Sequence, residues 1–350
     1  MAARSVTRRA AALSALATPS LLAAIASGGD TYSRWTRGRL RGFTTDNLPH
    51  LDAQTLTALA ATGANVVRVG LDLSACTSGD TDCVPAVLAD RLMTTLAAAR
   101  REGLGVVLLG SADIDGKQPL WSDASVQSRF VSAWRSVASL VRDQPALVGL
   151  DLLNEPHPPM PDGRTAPAQA QWMALALRTI DAIRDTGCTT PVVLEGVAGG
   201  SVLGLVGLVP PVRSGVVYSF HFYTPHEITH QGVSAHWSRR IPYPADASHG
   251  LGGWDATLGV GPIDRQRLRA ELRPVRDFQQ RHGVPIYVGE FGCVRWAPEG
   301  SALRWVGDCL DLFEEEQWHW TFHSFRTWPG WDAEVEAEEP PASRRRSASA

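Results

Sequence analysis

The sequence lacks any strong excess of charge. Lys and Arg number 33 against 36 Asp and Glu, a net charge of −3. A near-neutral chain has no positive field with which to hold a phosphate backbone, so no nucleic-acid partner is expected. Cysteine is scarce: five in 350 residues cannot make a disulfide scaffold. No Cys-x-x-Cys pair is present, and no metal or other cofactor is expected. After residue 26 no stretch reaches the roughly 18 uninterrupted apolar residues of a membrane span. No internal repeat suggests a solenoid or propeller. What is present is an ordinary globular balance, 44% hydrophobic and 20% charged, which excludes disorder of the whole chain.

The N-terminus has the form of an export signal. Arg4, Arg8 and Arg9 precede a small, apolar run from Ala10 to Ala26, and Ala24-Ile25-Ala26 fits a cleavage site. Thr7-Arg8-Arg9 also resembles the twin-arginine export signal. A buried Ala-rich helix is the alternative, but Thr18, Pro19 and Ser20 interrupt the run. A secreted or periplasmic protein, free of the membrane once the signal is cleaved, is therefore expected. Cys76 and Cys83, in a polar loop, would form a staple in an oxidising compartment. Cys293 and Cys309 are a second candidate pair, with Cys188 left over. The last residues, 333–350, run acidic, then Pro-rich, then basic, and are expected to be a disordered tail. The chain thus divides into a signal (1–26), one domain (27–332) and the tail, and a monomer is expected.

Within the domain, short Val/Ile/Leu runs alternate with longer amphipathic runs. Strands are expected at Leu40–Phe43, Asn65–Leu71, Gly105–Leu109, Leu147–Leu153, Pro191–Leu194, Gly215–Phe222, Val284–Gly289 and Trp318–Phe325. Helices are expected at Asp52–Thr62, Ala86–Arg101, Ala124–Val141, Ala168–Arg184, Gln266–Arg281 and Ala302–Glu315. Continuous apolar strands are buried on both faces, which indicates a parallel sheet. Eight of them interleaved with helices indicate an α/β fold, a single (β/α)8 TIM barrel. Residues 224–262 have no clear periodicity, and so long a loop in a compact domain is usually functional.

Barrel enzymes carry their chemistry at the C-terminal ends of the strands. There, Asn154-Glu155-Pro156 follows the fourth apolar run and Gly289-Glu290-Phe291-Gly292 ends the seventh. Two carboxyl groups facing one another across a cleft are what glycoside hydrolysis requires, one as acid and one ionised. A gap of about 5 Å fits retention of anomeric configuration, and a gap of about 9 Å fits inversion. Arg68, a charge inside Val66-Val67-Arg68-Val69, must meet a carboxylate, because an unpaired buried charge is very costly. His221 and Tyr223 end the sixth run and, by the alternation of a strand, share a face opposite Phe220 and Phe222. His323 lies within the eighth run. Of the 12 tryptophans, Trp121, Trp237, Trp254, Trp296, Trp328 and Trp331 fall beside strand ends and suit sugar stacking. Trp134, Trp172 and Trp305 fall in helices and are expected in the core.

These motifs together resemble glycoside hydrolase family 5, the cellulase family, over about Arg41 to Asp332. The resemblance implies that Glu155 is the acid/base and Glu290 the nucleophile. It implies that Asn154 binds the sugar 2-hydroxyl, that Arg68 and Tyr223 flank Glu290, and that His221 contacts the acid/base or the sugar. The chain departs from the family in two places. Leu108-Leu109-Gly110-Ser111 stands where many members have Asp-x-His. His323 stands where many have a tryptophan platform, leaving Trp328 or Trp331 to supply stacking. The expected function is a retaining glycosidase on a β-glucan, most simply an endo-β-1,4-glucanase. The same mechanism on β-mannan, β-1,3-glucan or a short glycoconjugate is the alternative, and a non-catalytic carbohydrate-binding barrel is the alternative of another class. A phosphate-binding barrel is disfavoured, since Gly289-Glu290-Phe291-Gly292 puts a glutamate where a phosphate would sit. Peptide mapping without reduction is expected to link Cys76 to Cys83; two free thiols would exclude the staple.

Overall fold

The computed structural model describes residues 31–74, 84–111, 114–251 and 257–334. The export segment, Cys76, Cys83, Trp254 and the tail beyond residue 334 lie outside the described residues. Eight strands close in sequence order into one barrel, every neighbouring pair parallel. They are β1 Arg41–Asn47, β2 Val66–Asp72, β3 Gly105–Ser111, β4 Leu147–Asp151, β5 Val192–Glu195, β6 Val216–Phe222, β7 Ile286–Phe291 and β8 His319–His323. Each overlaps one of the eight apolar runs. Besides one turn of helix at Ser33–Thr36 ahead of β1, the helices are α1 Ala53–Ala61, α2 Ala86–Arg101, α3 Ile114–Ser122, α4 Ala124–Val141, α5 Thr165–Arg184, α6 His226–Thr229, α7 Arg265–Glu271, α8 Arg273–His282 and α9 Ser301–Glu315.

Three expectations are corrected. The run Gln266–Arg281 is two helices, because Pro274 has no N–H to return to residue 270 and the ladder breaks at Leu272. Helix α3 was not expected, since Gly116 and Pro119 both disfavour helix. It carries Trp121 into the core, edge-on to Trp172, rather than over the barrel mouth. Cys293 and Cys309 are not joined in a disulfide; both are buried thiols, as is Cys188, and the Cys293 sulfur is directed at the Ile228 carbonyl.

The barrel interior is apolar below and polar above. Val66, Val107, Val148, Val193, Val217 and Tyr287 fill the lower part. Trp35, ahead of β1, closes the bottom: its indole donates to the Val148 carbonyl at 2.7 Å and its ring stands edge-on to Tyr287 and His319. His319 accepts the Leu40 N–H and donates to the Trp35 carbonyl; burial lowers its pKa to about 4, so the ring is neutral. Two residues further along β2, β5 and β6 the same inward face turns polar. Arg68 follows Val66, Glu195 follows Val193, and Ser219 and His221 follow Val217. Phe220 and Phe222 face the helices, where Phe222 stacks on Trp305.

Helix tryptophans pin the upper rim. Trp134 on α4 donates to the carbonyl of Leu152, Trp172 on α5 to that of Glu195, and Trp305 on α9 to that of Thr224. The long segment after β6 is also tied down. Gln231 bridges the backbones of Ile228 and Ile241, two short antiparallel bridges join Ala245 to Ile263 and Leu251 to Gly261, and Tyr243 reaches Asp308 on α9. No helix among the described residues is long and apolar enough to cross a membrane. Trp35→Ala is expected to cost about 3–5 kcal/mol, the range for truncating a buried tryptophan, in urea denaturation. A loss below about 1 kcal/mol would exclude its role as the plug of the barrel.

Candidate active site

The polar layer is organised by Arg68, fully buried on β2. Its Nε donates to Asp151 at 2.9 Å, its Nη1 to Glu290 at 2.6 Å, and its Nη2 to Glu195 at 2.5 Å and to the Asn154 side chain at 3.2 Å. The expected carboxylate partner is thus three carboxyl groups. Glu290 also accepts from the Tyr223 hydroxyl at 2.9 Å. Gly289 is required just before it: a Cβ there would lie 2.8 Å from the Ser219 hydroxyl and 3.2 Å from His221 Nε2.

Glu155 lies four residues beyond β4 with a left-handed backbone, φ 48°. Its N–H donates to Glu195 Oε2 at 2.8 Å, and its Oε1 is 3.0 Å from His221 Nδ1. The Asn154 N–H donates to the Gly110 carbonyl on β3 at 2.8 Å. Glu155, His221 and Glu290 each bring a ligand-type atom within 4.8 Å of the others. The two glutamates therefore do face each other at close range.

The electrostatics separate the groups. Burial works against ionised Glu290, but His221, His323, Arg68 and the Tyr223 hydroxyl outweigh it and hold the carboxyl well below its usual range. Burial likewise opposes a charged His221, yet Glu195 and Glu290 beside it keep the ring protonated well above its ordinary value. Its Nε2 stands 3.4 Å from Glu195 Oε1. Asp151 moves the other way: burial and the adjacent Glu195 push it up to about 8 despite Arg68. Arg68 and the His221 ring thus stand among Asp151, Glu195 and Glu290.

A row of rings borders Glu290. His323 Nδ1 is 3.7 Å from Glu290 Oε2 and its ring stands against Trp331. Trp331 also packs on Tyr223 and His230, while Trp328 sits next to Trp331 and against Trp296. Trp331 is thus the nearer of the two proposed platforms. Trp237 lies beside His226, and buried Trp296 donates to the Gln231 carbonyl.

Two residues of the layer, Asp151 and Glu195, were not anticipated. Both carry a usable signal: a carboxylate inside or ending an apolar run, the same signal that marked Arg68 and Glu290. One metal-ligand spacing was also overlooked, His226-Glu227-Ile228-Thr229-His230. Its two rings stack on each other at 4.3 Å, His230 Nδ1 lies 2.9 Å from the Thr229 hydroxyl, and burial takes His230 down to about 2. Among the described residues only Glu155, His221 and Glu290 converge as three potential ligands. A protonated His221 has no lone pair for a cation.

A closed (β/α)8 barrel with glutamates facing across the ends of β4 and β7 has the architecture of the barrel glycosidases. The chain belongs to the cellulase family, glycosyl hydrolase family 5, whose model matches residues 29–327. Among curated relatives, it is 28% identical to Endoglucanase C of Acetivibrio thermocellus over 211 residues, 56% of this chain and 59% of that protein. It is 29% identical to an endoglucanase of Paenibacillus polymyxa over 193 residues, 51% of this chain and 42% of that one. The chain spans about half the length of the curated relatives it matches. Endoglucanase Cel5A of Thermotoga maritima superposes with a TM-score of 0.69 at 21% identity, over 87% of this chain and 94% of that one. The cellulose synthase subunit Z of Clostridioides difficile gives 0.67 at 19%, over 83% and 93%. At such identities the likeness is one of fold.

Asp151 supplies a pH test. Its pKa is raised on folding, so its contribution to stability is full below the unfolded value of 3.8, declines as pH rises, and is gone above about 8. Asp151→Asn is expected to flatten the fall in melting temperature between about pH 5 and 8. A profile parallel to that of the unmodified protein would exclude a protonated Asp151.

Proposed function

We propose that this protein is a retaining glycosidase acting on a β-glucan, as an endo-β-1,4-glucanase, outside the cytoplasm. The observation that carries the reading is the approach of one carboxyl oxygen of Glu155 to one of Glu290 within 4.8 Å. That gap suits direct attack on the anomeric carbon and is too small for the intervening water of an inverting enzyme. Glu290, held ionised by Arg68 and Tyr223, attacks the anomeric carbon. The bond to the leaving oxygen breaks, and that oxygen takes the proton of Glu155. Glu155 then removes a proton from water, whose oxygen attacks the same carbon and releases Glu290. The His221 imidazolium, bonded to Glu155, keeps a proton donor beside the acid/base group. Asn154, pointed by Arg68, is suited to the sugar 2-hydroxyl, and the Tyr223, His323 and Trp331 rings to its faces, with Trp328 beyond them. No step calls for a cofactor.

The glycan is supported by the relatives called endoglucanases. One observation favours a second reading: His323 replaces the family's usual indole beside the nucleophile, which alters the wall that faces the sugar. Cel5A of Thermotoga maritima is described in complex with mannotriose as well as cellobiose. The test is a product profile of residues 27–350 on β-1,4-glucan, mixed-linkage glucan, β-1,3-glucan and β-mannan. Mixed oligomers from β-1,4-glucan are expected, and Glu290→Gln is expected to lower turnover by a factor of at least about 10⁴, the span of a lost covalent route. Turnover retained in that variant would overturn the nucleophile. Products from β-mannan alone would select the second reading, and silence on all four would favour a short glycoconjugate or a binding-only barrel.

A further inference from the structure

We propose that Glu195 is a positioning residue for the acid/base group, one that sets how Glu155 donates its proton without touching the sugar itself. The inference rests on the reading of Glu155 as acid/base. Glu195 ends β5 and is buried, so it meets substrate at no atom. Its carboxylate grips Glu155 in two ways. Oε2 accepts the Glu155 N–H at 2.8 Å, and Oε1 stands 3.4 Å from His221 Nε2, whose other ring nitrogen is 3.0 Å from the Glu155 carboxyl. The first contact matters because Glu155 sits at φ 48°, a left-handed conformation that a side chain disfavours. A charge-assisted bond to its N–H holds it there. The second contact fixes the ring that bonds the carboxyl.

The surroundings are shaped around this carboxylate. Its backbone carbonyl is held by the Trp172 indole at 2.9 Å, and Arg68 Nη2 meets Oε1. Gly200, at φ 71°, leaves the room: a Cβ there would lie 2.7 Å from Oε2. The Gly200 carbonyl in turn accepts the His221 N–H at 2.7 Å. Asp151 makes the contrast. It bonds Arg68 through Nε at 2.9 Å, and through Arg68 it bears on the nucleophile rather than on Glu155.

Leaving-group dependence separates the two sides of the site. A dinitrophenyl β-cellobioside needs no proton to release its aglycone, whereas a cello-oligosaccharide does. Glu195→Gln is expected to lower kcat/KM on cello-oligosaccharide about 100-fold, at the low end of acid/base effects, and that on the dinitrophenyl glycoside less than about 5-fold. Its kcat on the activated substrate is expected to rise with added azide, which attacks the glycosyl-enzyme without base assistance. Asp151→Asn is expected to lower both kcat/KM values alike and to show no azide response. Glu195→Asp, which keeps the charge and shortens the reach, is expected to fall in between and serves if the Gln variant does not fold. Equal losses on both substrates in the Glu195 variants, without azide response, would overturn the positioning role alone. An unmodified enzyme that turns over neither the dinitrophenyl β-cellobioside nor the cello-oligosaccharide would overturn the proposed function and this role with it.

Discussion

A guanidinium cannot shed its charge, so one placed at the centre of a barrel must be answered by acceptors from several directions at once. Arg68 has no exposure and is met by Asp151, Glu195, Glu290 and Asn154, which come from β4, β5, β7 and the loop after β4. Leaving any of these bonds unmade would strand charge in a medium that solvates it poorly. The strand ends are thereby tied to a single point. The orientation of Glu290, the aim of Asn154 and the place of Glu195 are consequences of the same side chain, and Glu195 passes the constraint on to His221 and Glu155.

The remaining order comes from outside the barrel. Indole N–H groups on α4, α5 and α9 reach the carbonyls of Leu152, Glu195 and Thr224, near the ends of β4, β5 and β6. Those three carbonyls stand where the strands stop pairing and would otherwise lack partners in the core. The helical layer therefore does more than bury apolar surface: it sets the height of the backbone from which the Glu155, Glu195 and Tyr223 side chains project. Trp35 does the same at the bottom through Val148, so β4 is held by an indole near both ends.

Much of this was legible in the sequence because strands impose a period of two and barrels put chemistry at strand ends. Arg68, Glu155, Glu290, His221 and Tyr223 each stand out on those grounds, and the barrel brings all five together. Asp151 and Glu195 carried the same signal and were passed over, since a carboxylate at a strand end also reads as an ordinary loop charge. The split of α7 from α8 was visible as Pro274 but was outweighed by the apolar period around it. Helix α3 was hidden by Gly116 and Pro119, and Trp121 was misplaced with it.

The sequence by itself determined the strand count, the face shared by His221 and Tyr223 at the end of β6, and the two glutamates at the ends of β4 and β7, because those depend on local period and on residue type. Only the tertiary structure decided which groups meet. That three carboxyl groups share Arg68, that Glu195 reaches the Glu155 N–H, and that Trp331 rather than Trp328 stands against Tyr223 are facts of contact across strands far apart in the chain. Spacing along one strand holds no record of its neighbours' register, and burial, which moves each of these charges, exists only once the barrel has closed.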